Sequence, residues 1–331
     1  MFSPDRLWRV LAMAALASGV LAGSPASAAD RKQVFSLTDP RGDDRGAGEL
    51  VYPLRDDLRP GDLDLLSLTA RQEADGTTFE ATFAQPITPP GPRVMDVGGG
   101  LVRDIARYGF YTLNIDVYID TDRVSGSGAV STLPGRKAEV DPASAWEKAI
   151  CLTPRPNETR DALKTILTRF ARDEMKSEGE RPDRTKMKTL ASEISTDVEN
   201  RVYFPTRINV FGRTIRFFVP SSFLRGEAKP TWSYVVAVSG ADVFQRLDVL
   251  GALKVTEPAP ASLAILPVAP GTWSDRFGGG EDDDPLQPPL VDVIVPRGAT
   301  QEKVLKDYSS KEGRLVRLPG VVPAQEAAAS R

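Results

Sequence analysis

The fold class is decided by residues 111–120, which read YTLNIDVYID. Four apolar side chains share one face of this run: Leu113, Ile115, Val117 and Ile119. Tyr118 falls on the opposite, polar face. Because side chains alternate between the two faces of a strand, this period of two predicts a β-strand with one apolar face.

Comparable short runs recur along the chain, at 77–83, 202–204, 208–211, 214–219, 232–238 and 291–295. Gly, Pro and Asp, the residues that favour turns, separate them. Many short strands at such spacings are typical of all-β architectures. The sequence therefore predicts a mainly β protein, folded as an antiparallel β-sandwich of jelly-roll-like type.

A helical pattern interrupts the strands at about 156–200. Four apolar residues follow the spacing of an amphipathic helix: Leu163, Ile166, Leu167 and Phe170. A second run of the same kind follows at 187–198. These runs predict an α-helical hairpin inserted into the β domain. The hairpin either packs on a sheet as additional core or docks a protein partner.

The first 28 residues have the pattern of a secretory signal peptide. Arg6 and Arg9 precede an uncharged apolar run at 10–22, and Ala26-Ser27-Ala28 provides the small residues of a cleavage site. The apolar run is short for a membrane span, and a retained anchor is the alternative interpretation.

We therefore expect an exported protein, periplasmic or extracellular, with no transmembrane segment after cleavage of the signal peptide. The folded domain is predicted at 29–310. The end of the chain, 311–331, is rich in Ala, Glu, Ser and Val, and its composition predicts a flexible tail.

Composition excludes several classes of chemistry. The 331 residues contain no histidine and one cysteine, Cys151. Catalysis through a histidine base, histidine- or thiolate-bound zinc, and an intramolecular disulfide are therefore excluded. The net charge of −3 without a basic run argues against a nucleic-acid partner. Oxygen-ligand and carboxylate chemistry remain.

An acidic, glycine-rich stretch at 38–53 is the first candidate site. Asp39, Asp43 and Asp44 lie among three glycines. Clustered carboxylates repel one another unless a cation neutralises them, and Ca²⁺ prefers six to eight oxygen ligands. The alternative is a solvated Asp/Gly turn between strands, which is common.

A set of motifs spread over residues 34–305 resembles the glucodextranase-like C-terminal domain family, a β-sandwich relative of carbohydrate-binding modules and of DOMON-type folds. The motifs that carry the resemblance are Asp39–Gly48 with Tyr52-Pro53, Pro60–Leu65, Ile115–Asp122, Leu133–Arg136, Ala145-Trp146, Trp232–Val236, Phe277–Gly280 and Asp292–Pro296. The helical pair at 156–200 departs from the family's pattern.

The resemblance implies a non-catalytic module that associates with envelope or extracellular polysaccharide. It also implies a structural Ca²⁺ held by Asp39, Asp43 and Asp44, with Asp64 as a fourth ligand. The 45 acidic residues single out no pair of catalytic carboxylates. We therefore predict a protein that is not an enzyme, and a carboxylate glycoside hydrolase is the weaker alternative.

Exposed aromatic rings are the candidate glycan contacts, because the apolar faces of sugar rings stack on them. Trp273 lies in a Gly/Pro-rich loop. Tyr118 lies on the polar face of its predicted strand, and Trp146 is a further tryptophan candidate. These three residues are the predicted ligand-binding set. Trp232, in a strand that is apolar on both faces, is predicted to belong to the core.

Overall fold

The computed structural model describes residues 32–91, 106–179, 183–242, 263–280 and 286–329. The predicted signal peptide lies outside these residues. Most of the described regular structure is β-sheet, and the helices are few. The prediction of a mainly β fold is confirmed.

The first sheet contains five strands: β1 (Gln33–Thr38), β2 (Leu65–Glu73), β3 (Gly76–Phe83), β8 (Ile208–Phe211) and β9 (Thr214–Pro220). Their order in the sheet is β1-β2-β3-β9-β8, and every neighbouring pair is antiparallel. Short turns join β2 to β3 and β8 to β9, and such connections favour antiparallel neighbours.

The second sheet also contains five strands: β4 (Leu113–Asp120), β6 (Lys148–Leu152), β7 (Val202–Tyr203), β10 (Ser233–Gly240) and β11 (Asp292–Ile294). Their order is β11-β10-β4-β6-β7, and only the pair β6–β7 is parallel. A separate parallel pair joins β5 (Ala138–Val140) to β12 (Val316–Leu318).

One buried cluster takes apolar residues from both sheets. Phe79 and Phe217 of the first sheet stack at 5.5 Å, and Ile115, Val117 and Val236 of the second sheet belong to the same cluster. A second cluster covers the other side of β4. Because β4 is a central strand between these clusters, every one of its eight residues is buried.

The predicted helical hairpin is present between β6 and β7, as α1 (Pro156–Ser177) and α2 (Arg184–Arg201). Its base is core: Leu163 and Ile166 are buried with Val198, and a salt bridge of 2.7 Å joins Lys164 to Glu199 across the two helices. Phe170, further along α1, is 43% exposed. The three residues of α1 therefore do not form a shared exposed patch.

Three short helices complete the described structure: α3 (Ser221–Leu224), α4 (Gln301–Lys306) and α5 (Pro323–Ala329). Within the described residues, no helix is both long enough and apolar enough to cross a membrane.

The C-terminal segment differs from the flexible tail predicted at 311–331. It contains β12 and α5, and Val316, Leu318 and Val321 are buried. Val321 also pairs with Tyr234 of β10 through two backbone hydrogen bonds of 2.9 Å. The composition-based prediction missed these apolar residues, whose burial orders the backbone between them.

Candidate cation and glycan sites

Three of the predicted metal ligands lie at the junction of the two sheets. Asp39 follows β1, Asp43 follows the turn at Gly42, and Asp64 immediately precedes β2. Gly42 has a φ of 86°, a backbone conformation that glycine adopts without steric cost, and its N–H donates to Asp64 Oδ2 at 2.8 Å.

A fourth carboxylate, which the sequence reasoning missed, comes from β11. Asp292 is 0% exposed, and its Oδ2 accepts a hydrogen bond of 2.6 Å from the N–H of Leu65. One carboxylate oxygen from each of Asp39, Asp43 and Asp292 lies within 4.8 Å of the other two. An Asp inside the apolar run 290–295 was the available signal, since an unpaired charge in a buried strand is costly.

Gln301 of α4 holds this loop in place from the other side. Its amide nitrogen donates to the backbone oxygens of Asp43 and Gly46, the latter at 3.2 Å, and its side-chain oxygen accepts from the N–H of Val293 at 2.6 Å. The backbone around the carboxylates is therefore fixed by hydrogen bonds that leave the carboxylates themselves available.

The oxygens of this cluster lack donors. With all four carboxylates ionised, five buried oxygens have no hydrogen-bond donor: both of Asp39 and the Oδ1 atoms of Asp43, Asp64 and Asp292. Within the described residues, no Lys or Arg forms a salt bridge with any of the four side chains. Buried acceptors without donors are rare in folded proteins. A donor set made only of oxygens fits a hard cation such as Ca²⁺.

The pKa values of these four carboxyls are raised, because burial and neighbouring negative charges disfavour their ionised forms. Burial, with the nearby charges of Asp43 and Asp64, raises the pKa of Asp39 from 3.8 to about 7. Burial and the charge of Asp39 raise the pKa of Asp292 well above its ordinary value. Burial also raises the pKa of Asp43 and of Asp64. Without a cation, the cluster resists full ionisation near neutral pH.

Asp44 does not join this cluster, although the sequence predicted it as a ligand. Its Oδ2 accepts hydrogen bonds from the Tyr52 hydroxyl and from the N–H of Gly61, the latter at 2.6 Å. These bonds tie the acidic loop to the turn before β2. Asp44 therefore has a structural role that a cation is not needed to explain.

A second acidic group, formed by Asp120, Asp122 and Glu147, also brings three carboxylate oxygens within 4.8 Å of one another. Each carboxylate accepts a backbone hydrogen bond: Asp120 from Arg123, Asp122 from Val124, and Glu147 from Thr121. This group is accounted for as an acidic turn at the end of β4.

The three predicted glycan contacts have different surroundings. Trp273 is 65% exposed. Tyr118 and Trp146 are 1% and 6% exposed, and their rings contact each other in the second core cluster at 5.5 Å. The Tyr118 oxygen accepts from the N–H of Leu133 at 2.9 Å. The prediction of Tyr118 and Trp146 as ligand contacts disagrees with this burial, which leaves no ring face open to a sugar. Trp232 is core, as predicted.

The exposed Trp273 stands next to other exposed apolar side chains. The Leu54 N–H donates to the Trp273 oxygen at 3.1 Å, and Val51 pairs with Gly278 in both directions at 2.8 and 3.0 Å. Val51 and Leu54 are themselves exposed. These backbone bonds bring the segments that carry the three exposed apolar residues together. Val51, Leu54 and Trp273 are called the Trp273 platform below.

A cavity of about 490 Å³ adjoins this platform through Ser274 and Asp275. Arg55 and Asp57 form a two-pronged ion pair on its wall, at 2.5 and 2.8 Å, and the Tyr111 hydroxyl donates to Asp57 at 2.6 Å. Asp56 also lines the cavity and is exposed. The cavity thus presents fixed carboxylate and guanidinium groups, and Ser274 and Asp275 on its wall directly follow Trp273 in the chain.

Residues 34–320 match the family described as the C-terminal binding module, SLH-like, of glucodextranase. The match covers most of the chain, so the chain belongs to this family, and the resemblance seen in the sequence is confirmed. No curated protein matches the chain.

Proposed function

We propose that this protein is an exported, non-catalytic carbohydrate-binding module whose two sheets pack as a β-sandwich, stabilised by Ca²⁺, and that it associates with envelope or extracellular polysaccharide. The observation that carries the proposal is the family match over 34–320, since that family is described as a binding module. The signal-peptide pattern at 1–28 supports export, and fractionation of cells producing the full chain tests it.

The Trp273 platform is the proposed glycan-binding surface. An exposed indole offers a flat apolar face to one side of a sugar ring, and the neighbouring Asp56 and Asp275 offer acceptors for its hydroxyls. Arg55 is held in one orientation by Asp57, so it contributes a rigid donor at no further ordering cost.

The test is binding to insoluble glucans, xylans and cell-wall material, measured by pull-down and then by calorimetry with soluble oligosaccharides. Trp273→Ala should weaken binding by about five- to 150-fold, because loss of one stacked ring removes about 1–3 kcal/mol. Phe211→Ala is the matched control, because Phe211 is an exposed aromatic residue at the end of β8, on a different element. Absence of binding to all three materials would refute the glycan proposal.

The Asp39, Asp43, Asp64 and Asp292 cluster is the proposed Ca²⁺ site. The support is its five buried, unpartnered carboxylate oxygens, which a divalent cation would neutralise and coordinate. The bound ion would join the end of β1 to β11, and therefore one sheet to the other. Its expected contribution is to stability rather than to ligand contact.

The alternative, a scaffold that docks a protein partner through the helical insertion, gains no support from the hairpin. Leu163 and Ile166 are in the core, so the exposed apolar surface of α1 reduces to Phe170 and the residues around it. The hairpin is better explained as a structural extension that covers one side of the second sheet.

A further inference from the structure

Three basic side chains converge on a cavity that the proposed function does not use. Lys148 of β6, Arg201 at the end of α2 and Arg225 after α3 line a space of about 390 Å³, together with Ser127, Asn200 and Glu147. The chain as a whole carries a net charge of −3, so three neighbouring cations here are a local reversal of its charge.

Two of the cations are held in place by the protein. The Lys148 ammonium donates to the backbone oxygen of Asn200 at 2.5 Å and lies 4.6 Å from the centre of the Phe223 ring. The Arg201 guanidinium lies 4.7 Å from the centre of the Trp146 ring, and its nearest carboxylate, Asp197, is 3.9 Å away. Both charges therefore keep fixed positions without close ion pairing.

Arg225 is the third cation and is left without a counter-ion. Within the described residues, its guanidinium has no hydrogen-bond or salt-bridge partner. Its backbone has φ 56° and ψ 42°, the left-handed conformation of a residue that ends a helix, and its N–H donates to the backbone oxygen of Ser221.

The three charges act on one another. Lys148, Arg201 and Arg225 line the same cavity, and burial together with the charges of Arg225 and Arg201 lowers the pKa of the Lys148 ammonium. Glu147 is the carboxylate on this cavity wall, but it accepts hydrogen bonds from Thr121 and Ser127 and is not among the groups that shift Lys148. Three cations therefore face one carboxylate among the charged side chains that line this cavity, and the balance of charge there is positive.

We propose that this cavity binds one oxyanion group, a carboxylate or a phosphate, between Lys148, Arg201 and Arg225. Such an anion accepts charge-assisted hydrogen bonds from the free guanidinium of Arg225 and relieves the repulsion among the three cations. A uronic acid residue of a glycan and a phosphate group offer the same chemistry. This site lies on different elements from the Trp273 platform and does not depend on the glycan proposal.

The experiment is calorimetric titration of the purified full chain with galacturonate oligosaccharides, with their methyl esters and with inorganic phosphate. At least one of the two anions should bind, the uncharged ester should not, and affinity should fall as salt is raised. Whichever anion binds identifies the source of the oxyanion.

Arg225→Gln should weaken binding about tenfold, the effect of losing one hydrogen bond to a charged group. Arg225→Lys, which keeps the charge, should retain most of it. Two control variants should leave the affinity for the anion unchanged. Arg184→Gln removes an equal charge from an exposed position at the start of α2, and Trp273→Ala alters the other proposed site. Failure of both anions to bind, equal binding of the ester, or an equal loss in Arg184→Gln would overturn the proposal.

Discussion

Removal of Ca²⁺ should make the stability of this protein depend on pH in the direction opposite to that of a salt-bridged carboxylate. The pKa of Asp39 is about 7 in the folded, metal-free chain and 3.8 as its ordinary value. Because the folded state binds this proton more tightly than the unfolded state, raising the pH across that interval destabilises the fold. At 1.36 kcal/mol per pH unit, one proton held by Asp39 together with the adjacent Asp292 corresponds to about 4 kcal/mol between about pH 4 and pH 7.

Calcium should remove this loss, because a bound cation favours the ionised form of each carboxyl. At about a hundredfold excess over its dissociation constant, the ion should add about 2.7 kcal/mol to the free energy of unfolding. The assay is urea unfolding at acidic and neutral pH, with chelator or with calcium. Unfolding free energies that do not change with pH or with calcium would refute the reasoning.

Asp292→Asn separates the cluster from other acidic groups. The amide keeps an oxygen that can accept from Leu65 but carries no charge, so the metal-free variant should be at least as stable as the wild type at neutral pH. Its response to calcium should be lost. Asp122→Asn, in the second acidic group, is the control and should keep the wild-type response.

The remaining predictions concern the core, and urea unfolding measures each of them. Arg136→Met should lower the free energy of unfolding by about 3–5 kcal/mol, because the buried Asp116, which lies 2.7 Å from Arg136, would be left as an unpaired charge. A loss below about 1 kcal/mol would contradict this role of the ion pair. Leu318→Ala should cost about 2–5 kcal/mol if the C-terminal segment is core, whereas a flexible tail predicts no change. Leu163→Ala should cost a similar amount and Phe170→Ser less than about 0.5 kcal/mol; equal effects would contradict the packing of α1.

The sequence predicts the class of fold well because alternation is a local property. The run at 111–120 is indeed a strand, with its apolar residues in the shared core. Alternation does not say what covers the other face. In β4 that face is buried by a second cluster, and Asp116 there pairs with the fully buried Arg136. This is why Tyr118, on the polar side of its strand, was wrongly expected to meet a sugar.

The cation site was predictable only in part for a related reason. Asp39 and Asp43 lie within one short glycine-rich stretch, so their proximity could be inferred from spacing, and Asp64 was added from the start of the next predicted strand. Asp292 joins them only because β11 lies beside β10 in the second sheet, which is a long-range pairing. No periodicity in the sequence encodes such a neighbour.

The two proposed sites are joined by a single loop, and this predicts coupling between calcium and glycan. The loop starts at Asp39 and Asp43 in the cation cluster and ends at Val51 and Leu54, whose backbone bonds reach Gly278 and Trp273. A cation that relieves the repulsion among the carboxylates at the first end should therefore further stabilise the second. Chelation should weaken glycan binding at temperatures where the fold is intact, and glycan should raise calcium affinity by the same factor, because coupling is reciprocal. Calorimetry of each ligand with and without the other measures both factors. If the protein binds both ligands and its glycan affinity is the same with and without calcium, the loop does not couple the two sites.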